Sequence, residues 1–331
     1  PGPGIHEGGT RMKKKINTAL PALSRMGVLL LIIVMGVIID PSFLSLRNIS
    51  NNLANASILI ILGVGETVAI ITNGPDLSAG SIMTMGGVVT AILLKNYQIH
   101  FVVAILGGLA VGALLGAING YMIAYIKIPA FISTYGLQWA VFGFAYVVLN
   151  GYVIYSFDDA FRFIGNGAVF KYFSMTTVCM MVIAVIGTLL LKHTTLGRKF
   201  YSVGSNAVQA NMSGIDSKKV IMKAFVFSGL MSAAAGILYV ARMNSVQSDI
   251  GSAYLLNVLA AVYMGGTSAA GGEGGIPGTI VGALAMTMVA NCMNLLAVSS
   301  EMRDAVIGFL IIVTVLLDTT MRRQMEKRKS V

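Results

Sequence analysis

Charge is scarce in this 331-residue chain: Asp, Glu, Lys and Arg together make up 11% of it, against about 25% in soluble domains. With 56% hydrophobic residues and a mean hydropathy of +0.81, that deficit excludes a fold surrounded by water. Two Cys are present, Cys179 and Cys292, each inside an apolar run. They exclude a disulfide framework and offer no metal-ligand spacing. His6, His100 and His193 are scattered, so no metal constellation is expected. No G-x-x-x-x-G-K-[ST] phosphate loop occurs, which leaves no sign of an ATPase site on this sequence. No Ser/His/Asp arrangement or nucleophile elbow is present either, which argues against an enzyme. Acids are the scarcer charge, 13 against 23 Lys and Arg, for a net charge of +10. In a soluble chain that excess points to nucleic acid. Here it reads as the basic bias of cytoplasmic loops, with lipid rather than nucleic acid as partner.

Long apolar runs are abundant, and their lengths near 20 residues suit membrane crossing. About ten spans are expected, near 20–39, 55–72, 80–94, 101–126, 130–149, 175–191, 224–241, 255–268, 276–298 and 304–320. The first run is too long for a signal-peptide core and no A-x-A site follows it, so it reads as a retained span. Residues 1–11, "PGPGIHEGGTR", look like an expression-tag remnant. Residues 12–321 then form one transmembrane domain and 322–331 a basic tail. An even number of crossings puts both termini on one side. Seventeen of the 23 Lys and Arg then fall in cytoplasmic segments, and only Arg47, Lys95, Arg162, Lys171, Arg242 and Arg303 fall outside. That asymmetry places both termini in the cytoplasm. The expected fold is an all-α polytopic membrane protein with broken or short helices near 73–81 and 265–272.

Two segments between spans stand out. The outer one, 150–174, is aromatic and carries Asp158-Asp159, which suits an interfacial belt or a docking surface for an external partner. The inner one, 192–223, holds a helix-compatible island, Asn206–Met212, between Gly204 and Gly214. A plain connector needs no such island, so it reads as a docking helix. Gly108, Gly112, Gly116 and Gly120 recur every four residues, and Gly274, Gly278 and Gly282 repeat the device within the ninth span. Small residues on one face let two helix backbones approach closely.

The polar residues inside the apolar runs are the functional candidates. Glu66 lies mid-span, where a carboxylate must be protonated, paired or wet; it is a pathway residue or a hydrogen-bonded packing group. Asp76, in "NGPDLSAGS", caps the following helix or serves the pathway, and Ser78 is a second capping candidate. Ser81, Asn119, Thr267, Ser268, Asn291 and Asn294 complete the pathway set, Asn119 being equally an interhelical hydrogen-bonding group. A weak similarity links "AIITNGPDLSAGSIMTMGGVVTAIL" to "AVYMGGTSAAGGEGGIPGTIVGALA", and paired broken helices point to a translocation route.

Several of these stretches carry a family resemblance. "PSFLSLRNISNNLANASI", "NGPDLSAGSIMTMGG", "IKIPAFISTYG", "TTLGRKFYSVGSNAVQANMSGID" and "LAAVYMGGTSAAGGEGGIPGTIVGAL" run in order from Pro41 to Asp318. In this respect the chain resembles the permease subunits of bacterial ATP-binding-cassette importers for sugars, in the ribose-type branch of the branched-chain amino acid/ribose permease superfamily. The resemblance implies a bacterial inner-membrane import permease for a monosaccharide or related small polar solute, working as a homo- or heterodimer. It also implies cytoplasmic ATP-binding subunits that carry ATP and Mg, so no cofactor on this chain, and a periplasmic solute-binding protein. By that resemblance the loop residues Gly197, Arg198, Gly204, Asn206, Ala207, Ala210, Ser213 and Gly214 couple to the ATPase. The sequence departs from the family pattern at Pro75, Ala79, Glu66 and Leu255-Leu256-Asn257, which puts the solute in doubt. The alternatives are a proton-coupled secondary transporter using Glu66, a nucleoside or furanosyl-signal permease of the same superfamily, and a channel or structural membrane protein.

Overall fold

The computed structural model describes residues 26–27, 29–170, 173–299, 302–313, 316 and 320. The tag-like start, the beginning of the first span, Lys171 and the basic tail lie outside them. The described chain is built from helices, with two two-stranded ladders as its β-structure. Six helices are long and apolar enough to cross a membrane. They are α2 (Leu46–Thr72), α4 (Phe101–Ala124), α5 (Ala130–Leu149), α7 (Met175–His193), α10 (Ser217–Met243) and α12 (Ile276–Leu295). Shorter apolar helices are α1 (Leu29–Ile39), α3 (Ala79–Lys95) and α11 (Ser252–Met264). Between them lie α6 (Asp159–Asn166), α8 (Thr195–Ser205) and α9 (Ala207–Met212), and α13 covers 302–313.

α2 is the axis of the bundle. Its most apolar 18-residue window is 94% buried, as expected of a helix that is hydrophobic all round. α7, α8, α10, α11 and α12 surround it. Ser45 caps its start by accepting from the Asn48 N–H, nine residues before the apolar run predicts. α4 lies on α10 through the predicted glycine row. A Cβ on Gly108, Gly112, Gly116 or Gly120 would strike Gly86 and Thr90 or the backbone of α10, so no larger side chain fits at these crossings. Gly282 brings α12 against Ala261 of α11 in the same way, and the Gly278 backbone lies close against Gly265, the residue that ends α11. Gly274 departs from the predicted row: it precedes α12, in left-handed backbone at φ +137°.

The basic segment is more helical than the sequence predicts. α8 precedes the island, and α10 begins at Ser217, capped by Asp216, which accepts from the Lys219 N–H. That N–H and the Lys219 side chain hold the Asp216 carboxyl below the usual carboxylate range. At the opposite end, segment 150–174 contains α6 and a strand, β1 (Ile154–Tyr155), that pairs antiparallel with Ser245–Val246. Phe157 and Phe161 are buried there and meet edge to face, while Tyr152, Tyr155 and Phe163 stay exposed.

α3 and α11 are half-helices. At 1.5 Å per residue, 17 and 13 residues give about 25 and 20 Å, short of the ~30 Å hydrocarbon core. After α2 ends, Gly74 (φ +140°) and Pro75 turn the chain back along it, and α3 starts beside the middle of α10. Segment 247–251 enters the body from the opposite end and starts α11. The two helix starts meet at Gly80 and Gly251, whose backbones touch, and the Gly251 N–H donates to Thr84 Oγ1 at 3.0 Å. The helix start that Gly80 meets is therefore that of α11, at Gly251, whereas the break near 265–272, which the sequence similarity links to 73–81, is a separate one. The latter break runs from Gly265 to Gly275 and lies at the α8 end.

Candidate functional site

Glu66, Asp76, Ser78, Ser81 and Asn119, predicted singly, converge in one buried network at the start of α3. Glu66 Oε1 accepts from the Asp76 N–H at 2.9 Å. Asp76 Oδ1 accepts from the Ser78 N–H at 3.1 Å and from Ser78 Oγ at 2.6 Å, and Oδ2 accepts from Ser228 Oγ at 2.8 Å. Asn119 donates to Ser78 Oγ at 2.7 Å and accepts from Ser133 Oγ at 3.0 Å. Ser81 Oγ donates to the Ser78 carbonyl at 2.9 Å. The network joins α2, α3, α4, α5 and α10. Asp76 turns the chain at Ser78 instead of capping N2 or N3 of α3, and Ser78, the N-cap residue, makes no capping bond of its own. Glu66 Oε2 is buried without a hydrogen-bond partner among the described residues.

Asn291 and Asn294 lie about 20 Å away along α2, by the helical rise from Asn52 to Glu66. They line a cavity of ≈ 280 Å³ between α2, α11 and α12, with Asn52, Asn55, Asn257, Tyr254, Thr287 and Arg303. Asn291 donates to Asn48 Oδ1 at 2.9 Å and to Asn52 Oδ1, and Arg242 Nη1 donates to Asn55 Oδ1 at 2.8 Å. Among the described residues no carboxylate lines this cavity, and Arg303 is its charged group. Amides offer both donors and acceptors, which suits a solute rich in hydroxyls. At ~30 Å³ per water the volume equals about nine waters, the scale of a solute with about ten non-hydrogen atoms. Sequence reading missed Asn52, Asn55, Asn257 and Ser228. The spacing of Asn48, Asn52 and Asn55 at i, i+4 and i+7 marks one helix face and was the available signal.

Thr267 and Ser268 stand apart from both groups, in the break 265–275. Thr267 Oγ1 is buried beside Gly274, and Ser268 Oγ accepts from the Ala270 N–H at 3.1 Å. This break is joined to α2 and α8. The Gly272 N–H donates to the Ile71 carbonyl at 2.9 Å, and Tyr201 OH donates to the Gly274 carbonyl at 2.9 Å. Gly204 packs its backbone against the Ile71 carbonyl and Gly272. Asn206 Oδ1 then caps α9, accepting from the Val208 and Gln209 N–H groups at 3.0 Å each. Ala210 faces inward, while Val208 and Met212 project outward, 64% and 83% exposed. Gly197 fits closely under the carbonyls of Leu190 and Leu191 at the α7–α8 corner, and Arg198 is exposed. Ser213 Oγ donates to the Gln209 carbonyl, and Gly214 turns the chain at φ +78°.

A central buried helix, two half-helices meeting inside the bundle and polar groups sequestered at their junction define a polytopic membrane protein of the transport type. The chain belongs to the family described as the permease component of branched-chain amino acid transport systems, whose model matches residues 48–315. It is 35% identical over 298 residues to the ribose import permease protein RbsC of Escherichia coli (strain K12), covering 88% of this chain and 91% of that one. The D-allose transport system permease protein AlsC of the same strain is 32% identical over 289 residues, covering 87% and 88%. The galactose/methyl galactoside import permease protein MglC of Haemophilus influenzae is 30% identical over 309 residues, covering 87% and 92%. No solved structure matches the chain.

Proposed function

We propose that this chain is the membrane-spanning subunit of an ATP-binding-cassette importer that moves a monosaccharide or related small polar solute across the bacterial inner membrane. The observation that carries this reading is the continuous track from exposed α9, through α8, to Ile71 and the break 265–275. A docking surface wired to the end of the central helix is what an externally powered permease needs. In this reading about ten crossings leave both termini in the cytoplasm. ATP-binding subunits, which hold ATP and Mg, dock on α9. Their closure shifts α8 and switches the access side of a homo- or heterodimer by rigid-body motion. A periplasmic binding protein delivers the solute to the end that carries the amide-lined cavity. The names of the relatives favour a sugar, and the amide lining, with donors and acceptors for hydroxyls, agrees with one.

Val208 and Met212 report docking better than Ala207 or Ala210, since Ala210 is buried under α9 and its substitution would unseat the helix. A Val208→Glu/Met212→Glu variant is expected to insert normally into the membrane and lose co-purification with the ATP-binding subunits. Undiminished co-purification would overturn this reading.

Asn294 tests the cavity. Its side chain makes no hydrogen bond among the described residues, so Asn294→Leu removes a solute partner without opening the fold. Losing one hydrogen bond to a buried polar ligand costs about 1–1.5 kcal/mol, or roughly tenfold in the half-saturating solute concentration for uptake. Unchanged half-saturation at equal surface abundance would remove Asn294 from the route.

A further inference from the structure

One groove plays no part in the transport reading. It lies between the ends of α7 and α8 and the first half of α10, with a volume of ≈ 420 Å³. On α10 it follows one face: Lys219, Met222, Lys223, Val226, Phe227 and Leu230. These positions are three and four residues apart, so they stack in a single stripe about 16 Å long. The stripe is ordered. Its two lysines sit at the basic end, and everything deeper is apolar. Leu190, Leu196 and Phe200 form the facing wall, also apolar. Outside the groove, α7 continues with exposed Val182, Val185, Ile186 and Leu189, a surface suited to acyl chains.

The basic groups are unequally engaged. Lys218 is held over the Tyr125 ring at 5.7 Å from its centroid. The Lys219 ammonium meets Asp216 Oδ2 at 3.1 Å in an exposed pair, the kind that adds little stability and is readily shared. Lys223 has no ion-pair partner among the described residues. Lys192, Arg198 and Lys199 lie on the flanking α7–α8 corner, and Asp216 is the nearby acid. A cationic mouth above an apolar trench complements one ligand class: an anionic headgroup carrying a hydrocarbon tail.

We infer that this groove is a specific site for an anionic phospholipid, its phosphate held by Lys223 and Lys219 and one acyl chain lying along Val226, Phe227 and Leu230. A phospholipid headgroup partners the Lys223 ammonium, which has no ion pair among the described residues, and a tail fills the apolar trench below it.

The test is native mass spectrometry of the full chain purified with its natural partners, supplied with phosphatidylglycerol or phosphatidylcholine of matched chains. Retention of phosphatidylglycerol in preference to phosphatidylcholine is expected. Lys223→Gln should weaken retention about fivefold, the effect of one lysine at a membrane surface. Lys219→Gln should weaken it less, because its ammonium is shared with Asp216. Lys218→Gln should leave it unchanged. Val226→Trp, which fills the trench and keeps both lysines, should also displace the lipid. Equal retention of the two lipids, or full retention in the Lys223→Gln and Val226→Trp variants, would overturn the site. A disulfide between two copies through Val226→Cys would assign the groove to a protein interface and overturn it equally.

Discussion

Gly251→Val is expected to abolish recovery of folded protein, with the monodisperse peak of detergent-solubilised material falling about tenfold or more. Gly80, in the first turn of α3, and Gly251, the residue that precedes α11, lie at the starts of two half-helices that meet inside the bundle, and a Cβ on Gly251 would land on the Gly80 carbonyl oxygen. The obstacle is backbone, so no side chain can rotate away to make room. Overpacking against movable side chains costs about 1–3 kcal/mol. Here relief requires shifting α3 or α11, and with it the Thr84–Gly251 hydrogen bond. The cost should therefore exceed ~4 kcal/mol, outside the ordinary range of single substitutions. Gly136→Ala is the matched control. Gly136 sits on exposed α5 with open space where its Cβ would be, and alanine there gains helix propensity of about 1 kcal/mol. Wild-type recovery of Gly251→Val would mean that the half-helices do not meet as described.

Local chemistry made much of this fold legible, and long-range chemistry hid the rest. The limits of α5 follow from Pro129, which starts the helix, and from Asn150, whose left-handed conformation ends it. The α9 island was readable because Asn206 is an N-cap and Gly214 an exit turn, signals that lie within a few residues. The first two turns of α2 were missed because their asparagine face lowers the hydropathy that marks a span. α8 was missed for a related reason: it is an amphipathic helix that buries Phe200 and Val203 against the bundle. The buried network was legible only as separate polar residues. Ser228 stands 152 positions from the Asp76 it bonds, and nothing local to "FSGLM" announces that contact. Composition makes 73–81 and 265–272 look alike, but the close backbone contact, Gly80 with Gly251, joins the start of α3 to the start of α11.

The second large effect concerns Asp76. Asp76→Ala is expected to lower the temperature of half-loss of the monodisperse peak by about 6–12 °C. Three buried donors, the Ser78 N–H, Ser78 Oγ–H and Ser228 Oγ–H, all end on this carboxylate. Each orphaned donor costs about 1–3 kcal/mol, or roughly 3–6 kcal/mol for the three after partial relaxation. Asp76→Asn keeps one acceptor oxygen and should fall between alanine and wild type. Glu66→Gln provides the contrast. Its remaining oxygen still accepts from the Asp76 N–H, and the changed atom, Oε2, has no partner to lose among the described residues. The shift there should stay below about 3 °C, near the cost of one imperfect buried group. The two carboxylates also separate the transport mechanisms. An importer powered at α9 has no need of a proton on Glu66, so Glu66→Gln should match wild-type uptake from pH 5 to pH 8. Uptake that depends on pH in the wild type and turns flat in Glu66→Gln would instead make Glu66 a proton site and the chain a secondary carrier. A half-loss temperature for Asp76→Ala within about 3 °C of wild type would show that the network does not hold the start of α3 in place.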